Sequence, residues 1–156
     1  MSRVLGNSES LGQVEEIVYL HWDGGSAPTN PGPSGGAYVI HRGQRLVAEG
    51  GVYLPWATNN VAEYNGLITG LEKARELGIR KLTIQGDSML MVNQITGLWR
   101  VRNEALKVLY DRVMALLAGV EYTIMHVKRE YNKHADRAAD YTIQNGASWS
   151  SPETFL

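Results

Sequence analysis

The chain has 156 residues, a length that fits one domain whose core needs neither disulfides nor a structural metal. Its 15 Lys and Arg against 16 Asp and Glu leave a net charge of −1, which excludes a strongly basic nucleic-acid binder but not a local basic patch. There is no Cys, so thiol catalysis, thiolate zinc sites and disulfides are ruled out, and no stretch approaches the ~20 apolar residues of a membrane span. No apolar segment follows Arg3, so no secretory signal is expected. The composition reads as a soluble, cytoplasmic, monomeric domain with no membrane partner.

In chain order, residues 1–16 are polar and aperiodic and are expected to form a flexible N-terminal extension. Ile17–Trp22 is rich in β-formers and predicts a strand that ends at Asp23, followed by a loop from Gly24 to Gly36 dense in Gly and Pro. Gly36–His41 and Gln44–Tyr53 predict two strands around a turn at Arg42–Gly43, with a bulge at Gly50–Gly51. After Thr58, Tyr64, Leu67, Ile68, Leu71, Ala74 and Leu77 recur at helical spacing, and Gly78 supplies the stop. Lys81–Gln85 predicts a short buried strand leading to Asp87, and Ser88–Ile95 a short helix closed by Gly97. Leu106, Leu109, Val113, Leu116 and Leu117 mark an amphipathic helix ending at Gly119. Tyr122–Val127 is a last strand and Asn132–Ile143 a last helix with Asn132 as its cap. The domain thus spans 17–145, and 146–156 is a polar, irregular tail with Trp149 and Phe155 as isolated apolar points.

The element order β-β-β-α-β-α-α-β-α predicts an α/β fold. An antiparallel meander comes first, and later strands return through helices to pair in parallel. The product is a mixed five-stranded sheet with helices on both faces, and such sheets carry function at the carboxyl ends of strands. Asp23 and Asp87 close two strands, while Glu63 and Asp136 fall in the first turns of two helices. Each alone reads equally well as a turn residue or a dipole partner. Together they can converge on one rim, where mutual repulsion calls for cations. An oxygen-only donor set points to magnesium or manganese rather than zinc, the setting for two-metal phosphoryl transfer.

The residues around these acids carry a resemblance. Asp23 lies in WDGGSAPTNPGPSGGAYVI, Glu63 in TNNVAEYNGL, Asp87 in IQGDSMLMVNQITGLWRVRN and Asp136 in HVKREYNKHADRAAD. In order and spacing, from about Ile17 to Ile143, these resemble the four signature blocks of type 1 ribonuclease H. The resemblance implies the ribonuclease H-like fold and endonucleolytic cleavage of the RNA strand of an RNA–DNA hybrid. Asp23, Glu63, Asp87 and Asp136 would chelate two Mg2+ or Mn2+ ions, with Asp23 and Asp87 flanking both. Products would carry 5′-phosphate and 3′-hydroxyl ends. Asn30, Asn59 and Asn60, with backbone amides near Gly24 and Gly25, match the positions that read the RNA 2′-hydroxyls; Glu63 is placed to accept one. The same asparagines read equally well as turn and cap residues.

Other positions are less specific. Arg100, Arg102 and Asn103 beside Trp99 could meet the DNA strand or simply start a solvated helix, and no basic insertion follows Asp87. Many family members carry a product-releasing His in a longer loop before the last helix. Here the short VKREYN segment resembles the archaeal-like subgroup, leaving Arg129 and His134 as candidates for that role. His21 and His126 lie within strands and read as packed structural residues. The rival function is a non-catalytic hybrid- or double-stranded-RNA-binding module of the same fold, which would gain nothing from four clustered acids.

Overall fold

The structure, a computed structural model, describes residues 16–151. Residues 1–15 of the predicted extension and 152–156 of the predicted tail lie outside the described residues. Strand β1 (Val18–Ser26), β2 (Gly32–Arg42) and β3 (Arg45–Ala57) form the antiparallel meander. Helix α1 (Asn59–Glu76), strand β4 (Lys81–Gly86), α2 (Met89–Ile95), α3 (Glu104–Leu117) and β5 (Glu121–His126) follow. A 3-10 turn at Arg129–Tyr131 leads into α4 (Lys133–Asn145) and a two-residue strand, β6 (Trp149–Ser150). Among the described residues the sheet order is β5-β4-β1-β2-β3-β6, with β4 parallel to β1 and to β5.

Alternation in the central strands divides the core. Leu20, Trp22, Tyr38 and Ile40 point to the α1 face, where they meet Tyr64, Leu67, Leu71, Ile84, Met91 and Val113, all buried. Each such side chain contributes about 1.5–3 kcal/mol by leaving water. The opposite face under α4 is much thinner: Ala37, Ala138 and Ala139, with Trp149 against them. Adjacent Gly35 and Gly36 show the two sides directly. A methyl on Gly35 would meet Ala139 and Thr142 of α4, and one on Gly36 would meet Ala62 and Gly66 of α1. No helix among the described residues is long and apolar enough to cross a membrane.

Helix boundaries follow the local chemistry. Thr58, Ser88 and Asn103 accept bonds from Val61, Met91 and Leu106 and cap α1, α2 and α3. Gly78, Gly97 and Gly119, read as stops, all take left-handed φ (74°, 84° and 81°). The cap of α1 is therefore Thr58, not Asn59 or Asn60, which are helical. Asn132 occupies the N-cap position of α4 but makes no capping bond with its side chain.

Several expectations are corrected. β1 does not stop at Asp23 but runs to Ser26, because Gly24 and Gly25 pair with Gly36 and Gly35 and no side chain interrupts the ladder. The predicted loop shrinks to 27–31, between β1 and β2. Glu63 lies beyond the first turn of α1, which holds no acid. The register shifts fall at Gly32/Ser34 and Ile40/His41, not at Gly50–Gly51. Those two glycines instead clear space for the tail: a Cβ on Gly51 would collide with Thr142 and lie 2.7 Å from Trp149 Nε1. The tail is not wholly irregular. Trp149 pairs with Gly51, donates to Thr142 Oγ1 at 2.8 Å and packs edge-on to Tyr141, which adds the sixth strand.

α1 crosses β1 and β2 at backbone contact. A Cβ on Gly66 would stand 2.5 Å from the Asp23 carbonyl oxygen and 2.8 Å from the Ala37 nitrogen. Gly66→Ala must therefore lift the helix from the strands. The expected cost is about 1–3 kcal/mol in urea unfolding, as for other overpacked sites, and preserved stability would show that the helix can shift freely.

Candidate active site

The parallel register of β1 and β4 pairs Trp22 with Gly86, so Asp23 and Asp87 follow on neighbouring strands. Adjacent strands stand about 4.8 Å apart. Glu63 comes down on them from α1, because a Cβ-free Gly24 lets the helix backbone at Ala62 and Glu63 lie directly over it; a Cβ there would be 2.5 Å from the Glu63 nitrogen. Carboxylate oxygens of Asp23, Glu63 and Asp87 all lie within 4.8 Å of one another. Asp136, in the first turn of α4, reaches the same group from the other face and shares a hydrogen bond with Asp23. The structure thus gathers Asp23, Glu63 and Asp87, with Glu63 coming from beyond the first turn of α1, and Asp136 adjoins them through Asp23.

Packing acids this closely is expensive, and the protein carries the cost as raised proton affinity. Asp23 is pushed up to about 8, first by burial, then by the charge of Asp87 and the contact with Asp136, against a bond from the Gly24 N–H. Glu63 is pushed up to about 9 by burial, then by Asp23 and Asp87, with Arg129 opposing. Glu63 Oε1 is buried and has no hydrogen-bond partner. An orphaned carboxylate oxygen beside two more carboxylates, with no sulfur or imidazole donor among them, fits a hard divalent cation such as Mg2+ or Mn2+.

The other candidate residues divide. Arg129 extends from the 3-10 turn to the acids, its Nε 3.6 Å from Asp87 Oδ2. Its side chain is 87% exposed. His134 faces elsewhere: its Nε2 is 2.9 Å from Glu49 Oε1, and its ring meets His41 edge-on. His21 is half-buried and bonded to Gln85 at 2.7 Å. Burial holds both His21 and His41 below the usual imidazole value. His126, read as packed, is exposed. It ends β5 opposite Gly86, one residue from Asp87, and strand register rather than any local motif would have been needed to find it.

The candidate substrate-reading residues are tied to one another. Asn30 Oδ1 accepts from the Asn59 N–H at 3.0 Å, and Asn59 Oδ1 accepts from the Ser26 N–H at 2.8 Å. Each thus spends its oxygen on the backbone, and neither amide NH2 has a partner among the described residues. Asn60 is exposed beside them, and the Gly24 N–H is directed at Asp23. Asn103 caps α3, and Arg102 and Trp99 are exposed at the start of that helix, so this segment is a helix start with free cationic and aromatic groups.

The raised acids set a pH dependence. In the unfolded chain Asp23 and Glu63 ionise near 3.8 and 4.5; in the fold they hold protons up to about 8 and 9. Their contribution is fully present below the unfolded values and is lost as pH rises through the folded ones. Metal-free protein should therefore lose stability progressively as pH rises from about 4 to about 9 in denaturant titrations, and Asp23→Asn should flatten that slope. Saturating Mg2+ should flatten it as well. A metal-free slope of opposite sign would show that the acids do not repel as described.

Over residues 22–142 the chain matches the reverse transcriptase-like family. It is 38% identical over 130 residues to ribonuclease HI of Halobacterium salinarum, covering 82% of this chain and 65% of that protein. The crystal structure of the halobacterial RNase H1 superposes with a TM-score of 0.78 at 37% identity, covering 83% of this chain and 98% of the other. The N-terminal RNase H domain of Rv2228c from Mycobacterium tuberculosis gives 0.79 at 37% identity, over 84% of this chain and 96% of that one. Full-length Rv2228c is a bifunctional protein of which this chain spans 39%. LC11-RNase H1, crystallised in complex with an RNA/DNA hybrid, gives 0.77 at 29% identity, over 82% and 97% of the two chains. Shared sequence and shared fold over most of its length agree with the order of its acidic motifs: the chain belongs to the type 1 ribonuclease H family.

Proposed function

We propose that the chain hydrolyses the RNA strand of RNA–DNA hybrids endonucleolytically, leaving 5′-phosphate and 3′-hydroxyl ends. The observation that carries this reading is the Asp23–Glu63–Asp87 cluster, whose buried Glu63 oxygen has no partner of its own. Binding of a hybrid by LC11-RNase H1, a structural relative, supports the substrate. A binding module of the same fold has no use for three carboxylates within 4.8 Å of one another, whose repulsion it would have to offset.

Asp23, Glu63, Asp87 and Asp136 would hold two divalent ions. Bound there, such a pair would supply the means to activate water for in-line attack on a phosphate and to stabilise the departing 3′ oxygen. The chain's own contributions are distinct. The acids fix the position of the scissile phosphate, and burial of Asp23 and Glu63 excludes competing water. Arg129 sets an exposed positive charge beside Asp87, where it would draw a phosphate oxygen away as product leaves. The carboxamides of Asn30 and Asn59 present NH2 donors held still by their backbone-bonded oxygens, and Asn60 adds a third amide. Donors fixed in this way suit a 2′-hydroxyl, the group that separates RNA from DNA.

A labelled hybrid, double-stranded RNA and double-stranded DNA, each incubated with and without Mg2+, test the reading directly. Cleavage of the hybrid's RNA strand alone, and only with metal, is the expected result. Asp87→Asn should lower it by roughly a thousand-fold or more, since the parts of such a site act as a unit. Near-normal turnover in that variant would exclude the mechanism. Arg129→Ala should slow multiple turnover while leaving single-turnover cleavage nearly intact, and His134→Ala, whose ring is engaged with Glu49, should change neither. The reverse pattern would transfer the role to His134.

A further inference from the structure

Asn132 is a costly placement for a polar residue near the acids. It is 2% exposed, yet its Oδ1 has no hydrogen-bond partner. At a helix N-cap the local optimum is a side-chain oxygen accepting from the helix's own free N–H groups. Asn132 forgoes that bond. It sits at φ −124° and ψ 25° with no side-chain cap, and its Nδ2 donates instead to the Trp22 carbonyl, 2.9 Å away and 110 residues distant in sequence. An unpaired buried oxygen together with a vacated cap is a cost that helix stability alone does not explain, and such costs concentrate at functional sites.

The connections of this one residue account for it. Trp22 is the residue immediately before Asp23. The Asn132 carbonyl accepts the Asp136 N–H at 3.0 Å, the first bond of α4, and its own N–H donates to the Arg129 carbonyl at 3.0 Å. A single buried residue therefore joins the strand bearing Asp23, through its side chain, to the helix turn bearing Asp136 and the 3-10 turn bearing Arg129, through its backbone. We propose that Asn132 is a positioning residue: its carboxamide, bonded to the Trp22 carbonyl, sets the separation of Asp136 from Asp23 and so the geometry of the cation site. This rests on the hydrolytic reading above, but the bond acts before any catalysis does. Without it α4 remains a helix, and its first turn is free to swing from the sheet.

Asn132→Leu separates this role from packing, because leucine keeps most of the volume while removing both the donor and the orphaned oxygen. The variant should melt within a few degrees of wild type. Its Mn2+ affinity, read by calorimetry without substrate, should fall by roughly 10- to 100-fold, as when other groups that orient metal ligands are lost. A double-mutant cycle gives the second reading. If Asn132 acts through Asp136, adding Asn132→Leu to Asp136→Asn should cost little further affinity. Losses that multiply fully, or Mn2+ affinity unchanged in Asn132→Leu, would overturn the proposal. Should Asn132→Leu fail to fold, Asn132→Ala is measured against the same two outcomes. Wild-type protein that binds Mn2+ but leaves the hybrid uncut would refute the hydrolytic reading alone, and the binding cycle would still decide the role of Asn132.

Discussion

The rest of the site depends on how closely α1 can approach β1 and β2. Glycines at 24 and 36 in the strands and at 66 in the helix leave no Cβ at the closest points of that crossing, and there main chain rests on main chain. Glu63 is carried by this contact to the level of Asp23, where a helix held off by side chains would leave it several ångströms too high. The same closeness strips water from both carboxyls. The position of the acids and their altered chemistry are therefore one fact, a consequence of a backbone that fits only without side chains.

The opposing term is charge. Three carboxylates within 4.8 Å of one another, and a fourth bonded to the first, store repulsion that no apolar contact relieves. The fold tolerates it because the donors are split among elements that the core fixes independently: two adjacent strands of the sheet, a helix on the large core, and a helix on the other face. Protons occupy the site when cations do not. This reciprocity between protons and metal follows from any ligand set made only of carboxyl groups.

The strands and helices were legible because burial imposes its period on the residues. Leu20, Trp22, Tyr38 and Ile40 alternate, and Tyr64 to Leu77 recur every third or fourth position. The acids were legible as residues in motifs, but their distances were not, since those depend on the register of β1 against β4 and on glycine contacts across α1. What failed was whatever depended on partners distant in sequence. Gly24 and Gly25 read as loop because glycine breaks isolated strands, yet they pair with other glycines inside the ladder. Trp149 read as an isolated apolar point because Thr142 and Gly51 receive it only after the chain has folded. Asn132 read as a cap because its spacing is that of a cap, and nothing local reveals a bond to Trp22.

The thin core under α4 has a consequence for how the molecule opens. Alanines at 37, 138 and 139 bury little area, so this helix gains far less from water exclusion than α1 does. Its attachment rests on polar and aromatic links at its two ends: the amide of Asn132 on β1, and Trp149 closing on Thr142 and Tyr141 from the short strand beyond. A unit secured in this way detaches at lower free energy than the rest of the domain, and its amides exchange with solvent ahead of those of the central strands. One wall of the acid cluster therefore stands on the helix expected to open first.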